Sequence, residues 1–181
     1  TMQDSSNEFS HVIRLDEIGG TPVKRHIAAN EEERAALIRR FGLTGLDHLS
    51  ADLTVVRKDA AIHMTGHFEA SLSQPCIASG EPVPETVREY LNIYFTAEPD
   101  FAQTEESELE LEADDCDIIY HDGRGIDIGE AVAQSLSLAI NPYPRAANAE
   151  EILRAAGVKS EGEAGPFGAL SALKDKMLRG K

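Results

Sequence analysis

Cysteine, histidine and carboxylate side chains are the residues of this chain that could bind a metal ion or carry out catalysis. Cys76 opens the segment Cys76-Ile77-Ala78-Ser79. A zinc knuckle or a redox motif needs a second cysteine where this chain has Ser79, and serine is a poor zinc ligand. The other cysteine, Cys116, lies far away along the chain. We therefore expect two free thiols and no metal site built on this segment.

His63 and His67 are the histidines whose spacing resembles a metal-binding pair. They lie in a segment with apolar residues at every second position, which is typical of a strand with one buried face. Residues four apart on a strand are separated by about 13 Å. The two imidazoles are then too far apart to share one ion, and we interpret them as polar surface.

Acidic residues dominate the middle of the chain. Residues 98–122 contain eleven Asp and Glu side chains and no Lys or Arg, and they account for most of the net charge of -15. Catalytic acid–base work needs carboxyl groups whose pKa values differ through burial, and a solvated run does not provide that. The run also lacks the spacing of an EF-hand loop. We predict no catalytic residue and no cofactor; the alternative is a metal-dependent hydrolase that uses the acidic cluster.

The same acidic run indicates what kind of partner this chain attracts. Such a surface repels the phosphates of nucleic acid and attracts basic proteins. We predict a partner-binding surface formed by Glu105, Glu106, Glu108, Glu110, Glu112, Asp114 and Asp115. An alternative interpretation is structural, because residues 108–112 alternate like an edge strand whose outward carboxylates prevent pairing with other chains.

Hydrophobic periodicity predicts the elements that carry these side chains. Strands are expected at 9–15, 23–28, 53–57, 62–72, 87–97, 108–112 and 118–120. The segment 87–97 has apolar residues at both parities after Tyr90, so we expect this strand to be covered on both faces. A helix is predicted at 31–41, with Asn30 and Glu33 as a capping box. A second helix begins after Asp127, has Glu130 at the capping-box position, and ends near Ile140.

These elements predict an α+β fold. An antiparallel β-sheet of five to seven strands would be packed by two or three helices, and the C-terminal part would be helical. The expected division is an α+β domain at 1–157, followed at 158–181 by a linker and an amphipathic helix over 167–178. No segment is apolar enough to span a membrane, and no secretion signal opens the chain, so a cytoplasmic location is expected.

Three segments, taken in order, give the chain a resemblance to a known family. Residues 74–83 contain Cys76 and end at Pro82-Val83, residues 125–145 include the helix after Asp127 and the turn at Pro142, and residues 166–174 begin the last predicted helix. Together they resemble the YceD family, the large ribosomal RNA subunit accumulation proteins. The chain departs from the family's Cys-x-Arg-Cys segment, because Ala78 stands in place of the Arg and Ser79 in place of the second Cys. This departure resembles an α-proteobacterial branch and removes any reason to infer a zinc site.

The resemblance implies a non-enzymatic bacterial factor for the accumulation or processing of large-subunit ribosomal RNA. Combined with the charge, it favours a basic protein partner, such as a ribosomal protein or an RNA-processing factor. The alternative is direct binding of ribosomal RNA through the basic clusters Lys24-Arg25, Arg39-Arg40 and 174–181, which the net charge disfavours.

Overall fold

The structure is a computed structural model that describes residues 8–97 and 116–158. Its contacts divide the chain into two compact units. The larger unit comprises Thr1–Gln74 and Pro84–Asn141, and the smaller one comprises Pro75–Val83 and Pro142–Lys181. The predicted boundary between a domain at 1–157 and a C-terminal segment at 158–181 stays a prediction.

Seven strands, three α-helices and one short 3-10 helix, Leu15–Glu17, form the described chain. The strands are β1 Val12–Arg14, β2 Val23–Ala28, β3 Gly45–Lys58, β4 Ala61–Pro75, β5 Pro82–Ala97, β6 Asp117–His121 and β7 Gly125–Asp127. The α-helices are α1 Glu31–Phe41, α2 Ile128–Ala139 and α3 Ala149–Ala155.

A five-stranded sheet in the order β2-β3-β4-β5-β6 is the framework of the larger unit. β3 pairs antiparallel with β2 on one side and with β4 on the other. β6 is parallel to β5, with Ile93 beside Asp117 and Ala97 beside His121. β1 and β7 form a separate antiparallel pair in which Ile13 lies opposite Ile126.

Local sequence signals explain both long helices. Asn30 accepts a hydrogen bond from the backbone of Glu33, whose carboxylate accepts one from the backbone of Asn30, which confirms the predicted capping box. Gly42 ends α1 in the left-handed conformation that glycine adopts without a steric penalty. Asp127 caps α2 through the backbone N–H groups of Gly129 and Glu130, also as predicted.

One face of the sheet is buried and forms the core. Its inward side chains include Leu49, Val55 and Met64, which are fully or almost fully buried. They pack in one cluster with Leu37 of α1 and Leu136 of α2. Both helices therefore contribute apolar stripes to the same side of the sheet, as amphipathic helices do in layered folds.

The predicted α+β fold class is wrong. Strands account for 47% of the described residues and helices for 25%, so this is a mostly β protein. The sheet is mixed rather than antiparallel, because β6 runs parallel to β5. The strand content exceeds the prediction because β3, β4 and β5 are 14 to 16 residues long. These strands contain polar residues with a low intrinsic preference for β structure. The residues are nevertheless held in strands because neighbouring strands pair with them on both sides.

Several predictions lie outside the described residues. They are the edge strand at 108–112, the linker and the C-terminal helix at 167–178, so the helical C-terminal part is not shown. The predicted strand at 118–120 is confirmed as β6, and the predicted helix end near Ile140 is confirmed for α2. The first strand is shorter than predicted and belongs to the small sheet with β7.

Candidate interaction surface on the open face of the sheet

The face of the five-stranded sheet opposite the core is not buried. Its side chains alternate with the core residues along each strand, and the strand register sets them beside one another. We call this surface the open face. Its central residues, all exposed or half-buried, are Lys24, His26, His48, Ser50, Asp52, Thr54, His63, Thr65, His67, Glu69, Arg88, Tyr90, Asn92, Tyr94, Ile118 and Tyr120.

Aromatic rings and imidazoles are concentrated on the open face. It holds three of the four tyrosines and four of the six histidines in a chain that has no tryptophan. The imidazole of His63 stacks on the ring of Tyr94 at 4.2 Å between centroids, and that of His67 meets Tyr90 edge-on at 5.0 Å. Tyr90 is 57% exposed and Tyr120 58% exposed. The open face therefore presents ring surfaces to solvent.

Hydrogen bonds between neighbouring strands orient the polar side chains of the open face. Nδ1 of His26 lies 2.8 Å from Oδ1 of Asp52 across β2 and β3. Nε2 of His63 lies 2.8 Å from Oδ1 of Asn92 across β4 and β5. Cross-strand pairs of this kind hold side chains in fixed directions on a sheet. The donors and acceptors of the open face are therefore arranged in advance of any ligand.

An exposed ion pair joins Glu69 to Arg88, which donates to the carboxylate at 2.9 Å. The hydrogen bond from Arg88 lowers the pKa of Glu69 below its ordinary value. The pair stays charged at neutral pH, so the two charges largely cancel at this position. Surface pairs of this type contribute little to stability.

A shallow depression of about 270 Å³ lies on the open face between β3, β4 and β5. Its lining includes Ser50, Asp52, His67, Glu69, Arg88 and Tyr90, with Glu89 at its edge. One side chain of a ligand, or one planar ring, fits in such a volume. The lining combines an aromatic ring with hydrogen-bonding groups of both kinds, so it suits reversible recognition.

His63 and His67 were considered above as a possible metal-binding pair. Within residues 8–97 and 116–158, no group of three or more His, Cys, Asp or Glu side chains is arranged to hold a metal ion. His63 is paired with Asn92 and Tyr94, and His67 with Tyr90. The interpretation of both as polar surface of a strand agrees with these contacts.

The predicted partner-binding residues lie outside the described residues; they are Glu105, Glu106, Glu108, Glu110, Glu112, Asp114 and Asp115. The structure does describe both ends of that run. The chain leaves β5 at Ala97 and re-enters the sheet at Asp117, beside Ile93 of the same strand. The segment between them, which contains the predicted partner-binding residues, therefore connects two neighbouring strands of one sheet.

The smaller unit holds Cys76 in a turn. Both cysteines of the chain are free thiols, as predicted, and Cys76 is buried. The backbone N–H of Ala146 donates to its Sγ at 3.3 Å. That hydrogen bond and one from Ser79 lower the pKa of Cys76 to about 7, because they stabilise the thiolate. Ser79 occupies the place of a second cysteine and supports the thiolate by hydrogen bonding.

The open face was not predicted from the sequence, because the segment that forms β5 was expected to be buried on both faces. The prediction that this strand is covered on both faces is wrong, since Arg88 and Tyr90 are exposed and Asn92 and Tyr94 are half-buried. Tyrosine counts as apolar in a periodicity pattern, although its hydroxyl and ring are often exposed at interfaces. The sequence did contain a signal for this face. Tyr90 and Tyr94 are four residues apart and so lie on the same face of a strand, and Tyr120 lies in the predicted strand at 118–120.

The described residues thus form a mostly β protein with one uncovered, aromatic sheet face. Its sequence matches the profile of a family described as "Large ribosomal RNA subunit accumulation protein YceD" over residues 64–174. Because this match covers well over half of the chain, the protein belongs to the YceD family. The family name implies a role in the accumulation of large-subunit ribosomal RNA.

Further comparisons add no relative. Neither the curated proteins nor the solved structures yielded a match to this chain. In the part of the chain that the structure describes, no helix has the length and apolar character of a membrane span.

Proposed function

We propose that this protein supports the accumulation of large-subunit ribosomal RNA as a non-enzymatic factor in the cytoplasm, and that it does so by binding a basic protein. The family membership gives the process. The observation that carries the mechanism is the charge distribution: residues 98–122 hold eleven acidic side chains and no basic one. Such a surface attracts a basic ribosomal protein or RNA-processing factor over a distance of about one Debye length, 8 to 10 Å in physiological salt.

A further observation supports a binding role. The acidic run connects β5 to β6, two neighbouring strands of the five-stranded sheet. Electrostatic complementarity between an acidic run and a basic partner contributes chiefly to association rate and partner choice.

A charge-neutralised variant tests the proposal. Glu105, Glu106, Glu108, Glu110 and Glu112 are replaced by Gln, and Asp114 and Asp115 by Asn, which changes the net charge from -15 to -8. In cells that lack the wild-type protein, we expect this variant to leave the large-subunit ribosomal RNA depleted. The ratio of large-subunit to small-subunit ribosomal RNA is the measurement.

A matched control removes the same charge elsewhere. The exposed carboxylates for this control are Glu17, Glu31, Glu32, Asp47, Asp59, Glu150 and Glu151. We expect the control to restore the ribosomal RNA ratio, because its substitutions leave the 98–122 run intact. If both variants restore the ratio equally, the acidic run is not the functional surface. Affinity capture from lysate with the wild-type protein identifies the partner. We expect this partner to be basic and to be released by high salt.

A further inference from the structure

We propose that the open face of the sheet is a binding site for single-stranded RNA, distinct from the predicted partner-binding residues at 105–115 and independent of the basic protein partner. The site would hold unpaired bases on Tyr90, Tyr94 and Tyr120. This inference goes beyond the proposed function, since it gives the protein a second ligand and a second surface.

The rings of the open face have the geometry that base stacking requires. Tyr90 and Tyr94 lie four residues apart on β5, which separates their rings by about 13 Å along the strand. Tyr120 lies on the neighbouring strand β6, next to Thr96. Bases of a single strand can therefore be spread over separate rings. Exposed aromatics on a β-sheet stack two or three bases in this way in known RNA-binding domains.

Contacts with histidine hold two of these rings in place. Tyr94 is backed by the stacked imidazole of His63, and Tyr90 is held edge-on by His67. A ring whose orientation is already set loses less conformational entropy when a base stacks on it. Asn92 lies between Tyr90 and Tyr94 on β5, and Thr54 and Thr65 lie opposite each other on β3 and β4. Their side chains supply donors and acceptors for base edges.

The charge of the open face differs from the charge of the whole chain. Two carboxylates, Asp52 and Glu69, point from it, and Glu89 lies at the edge of the depression. Against them stand Lys24, Arg88 and the four imidazoles His26, His48, His63 and His67. Lys24 and Arg88 balance Asp52 and Glu69, and the imidazoles add hydrogen-bonding groups without adding negative charge. The open face is therefore compatible with a polyanion, although the net charge of -15 keeps the affinity modest.

Stacking rather than ion pairing should dominate this binding. Arg88 is already paired with Glu69, so Lys24 is the permanent cation left on the open face for a phosphate. Affinity for a single strand should therefore fall only about threefold between 50 and 200 mM salt. A site built on ion pairs to many phosphates would lose far more affinity over the same range.

The experiment measures fluorescence anisotropy of a labelled single-stranded RNA of about 12 nucleotides and of its duplex, titrated with the purified full-length protein. We expect the single strand to bind more tightly than the duplex. Tyr90→Ser combined with Tyr120→Ser should weaken binding about fivefold to 100-fold for each base that loses its ring. Tyr90→Phe combined with Tyr120→Phe should stay within about twofold of the wild type, because the stacking surface is retained.

Tyr143→Ser is the matched control for these variants. Tyr143 is 72% exposed and belongs to no strand of the five-stranded sheet, so its loss should not change RNA affinity. The proposal is overturned by equal binding of duplex and single strand, by no binding at all, or by wild-type affinity in the Tyr90/Tyr120 serine variant. If that variant binds RNA normally but loses the basic protein partner, the open face is a protein-binding surface instead. Failure of the acidic-run variant described above leaves these readouts unchanged, because no partner protein is present.

Discussion

The guanidinium group of Arg40 forms two hydrogen bonds of 2.7 Å with the carboxylate of Glu130. This contact joins the last turn of α1 to the first turn of α2, two helices that are far apart in the sequence. Glu8 accepts a further hydrogen bond from Arg40 at 3.0 Å, and Gln134 donates to Glu130. The bidentate geometry and limited exposure, 27% for Arg40 and 15% for Glu130, distinguish this pair from ordinary surface pairs.

Replacing Arg40 with Met should therefore lower the free energy of unfolding by about 1–2 kcal/mol, because a partly buried carboxylate loses a charged hydrogen-bond partner. Urea denaturation followed by circular dichroism at neutral pH measures this change. Arg14→Met is the control, since Arg14 forms an exposed pair with Asp16 and should have no measurable effect. Equal stability of both variants would show that the Arg40–Glu130 pair contributes nothing.

The same pair makes stability depend on pH. The hydrogen bond from Arg40 lowers the pKa of Glu130 below its ordinary value of 4.5. A depressed carboxyl pKa gives stability that is present above the ordinary value and is lost as pH falls through the folded-state pKa. We expect the difference in unfolding free energy between wild type and Arg40→Met to be largest at neutral pH and to shrink at pH values below 4.5. A difference that stays constant down to acid pH would contradict this.

Gly129 in the first turn of α2 should not tolerate a side chain. A Cβ at this position would meet the backbone carbonyl oxygen of Phe9 and lie 2.9 Å from the backbone nitrogen of His11. Backbone atoms cannot move aside as a flexible side chain can, so Gly129→Ala should destabilise the fold by more than about 2 kcal/mol. Thermal unfolding provides the measurement. Gly20→Ala is the control, because a Cβ there meets nothing within 4 Å.

The elements with strong local signals were predictable from the sequence, and those that depend on tertiary pairing were not. Asn30 and Glu33 indicated the start of α1, and Asp127 indicated the start of α2. The predicted strand at 53–57 covers only the end of β3, since the preceding Leu49 to Asp52 stretch becomes a strand through pairing with β2 and β4. Strand preference depends on such neighbours more than helix preference does.

Contacts between residues far apart in the sequence could not be predicted either, and the open face depends on such contacts. Glu130 was predicted to complete a capping box, but its carboxylate pairs with Arg40, a partner that local sequence could not indicate. The open face requires strands β2 to β6 in the right order, so Tyr90 and Tyr120 could not be brought together from periodicity alone. The acidic run could be recognised in the sequence because a run of charge needs no fold to be recognised.

Cys76 should titrate near neutral pH. Hydrogen bonds from the backbone of Ala146 and from Ser79 lower the pKa of its thiol to about 7. In a Cys116→Ser background, thiolate absorbance at about 240 nm should therefore rise with a midpoint close to neutrality rather than near the usual thiol value of about 8.5. Ser79→Ala removes one donor and should raise the midpoint. An unchanged midpoint in Ser79→Ala would show that the hydroxyl does not support the thiolate.

Asp127 links the start of α2 to the N-terminal segment, and its loss should affect both. One carboxylate oxygen accepts hydrogen bonds from the backbone N–H groups of His11 at 2.9 Å, Gly129 at 3.1 Å and Glu130 at 3.0 Å. The other oxygen accepts one from the hydroxyl of Ser10 at 2.7 Å.

Asp127→Ala should lower the unfolding free energy by about 1–2 kcal/mol, at the upper end for loss of a helix cap, because two further donors lose their acceptor. Asn148→Ala is the matched control, since Asn148 is the N-cap residue of α3 but makes no capping hydrogen bond with its side chain. Hydrogen exchange at the His11, Gly129 and Glu130 amides should accelerate in Asp127→Ala and stay at the wild-type rate in Asn148→Ala. Unchanged exchange at the His11 amide in Asp127→Ala would mean that the carboxylate caps α2 without holding the N-terminal segment.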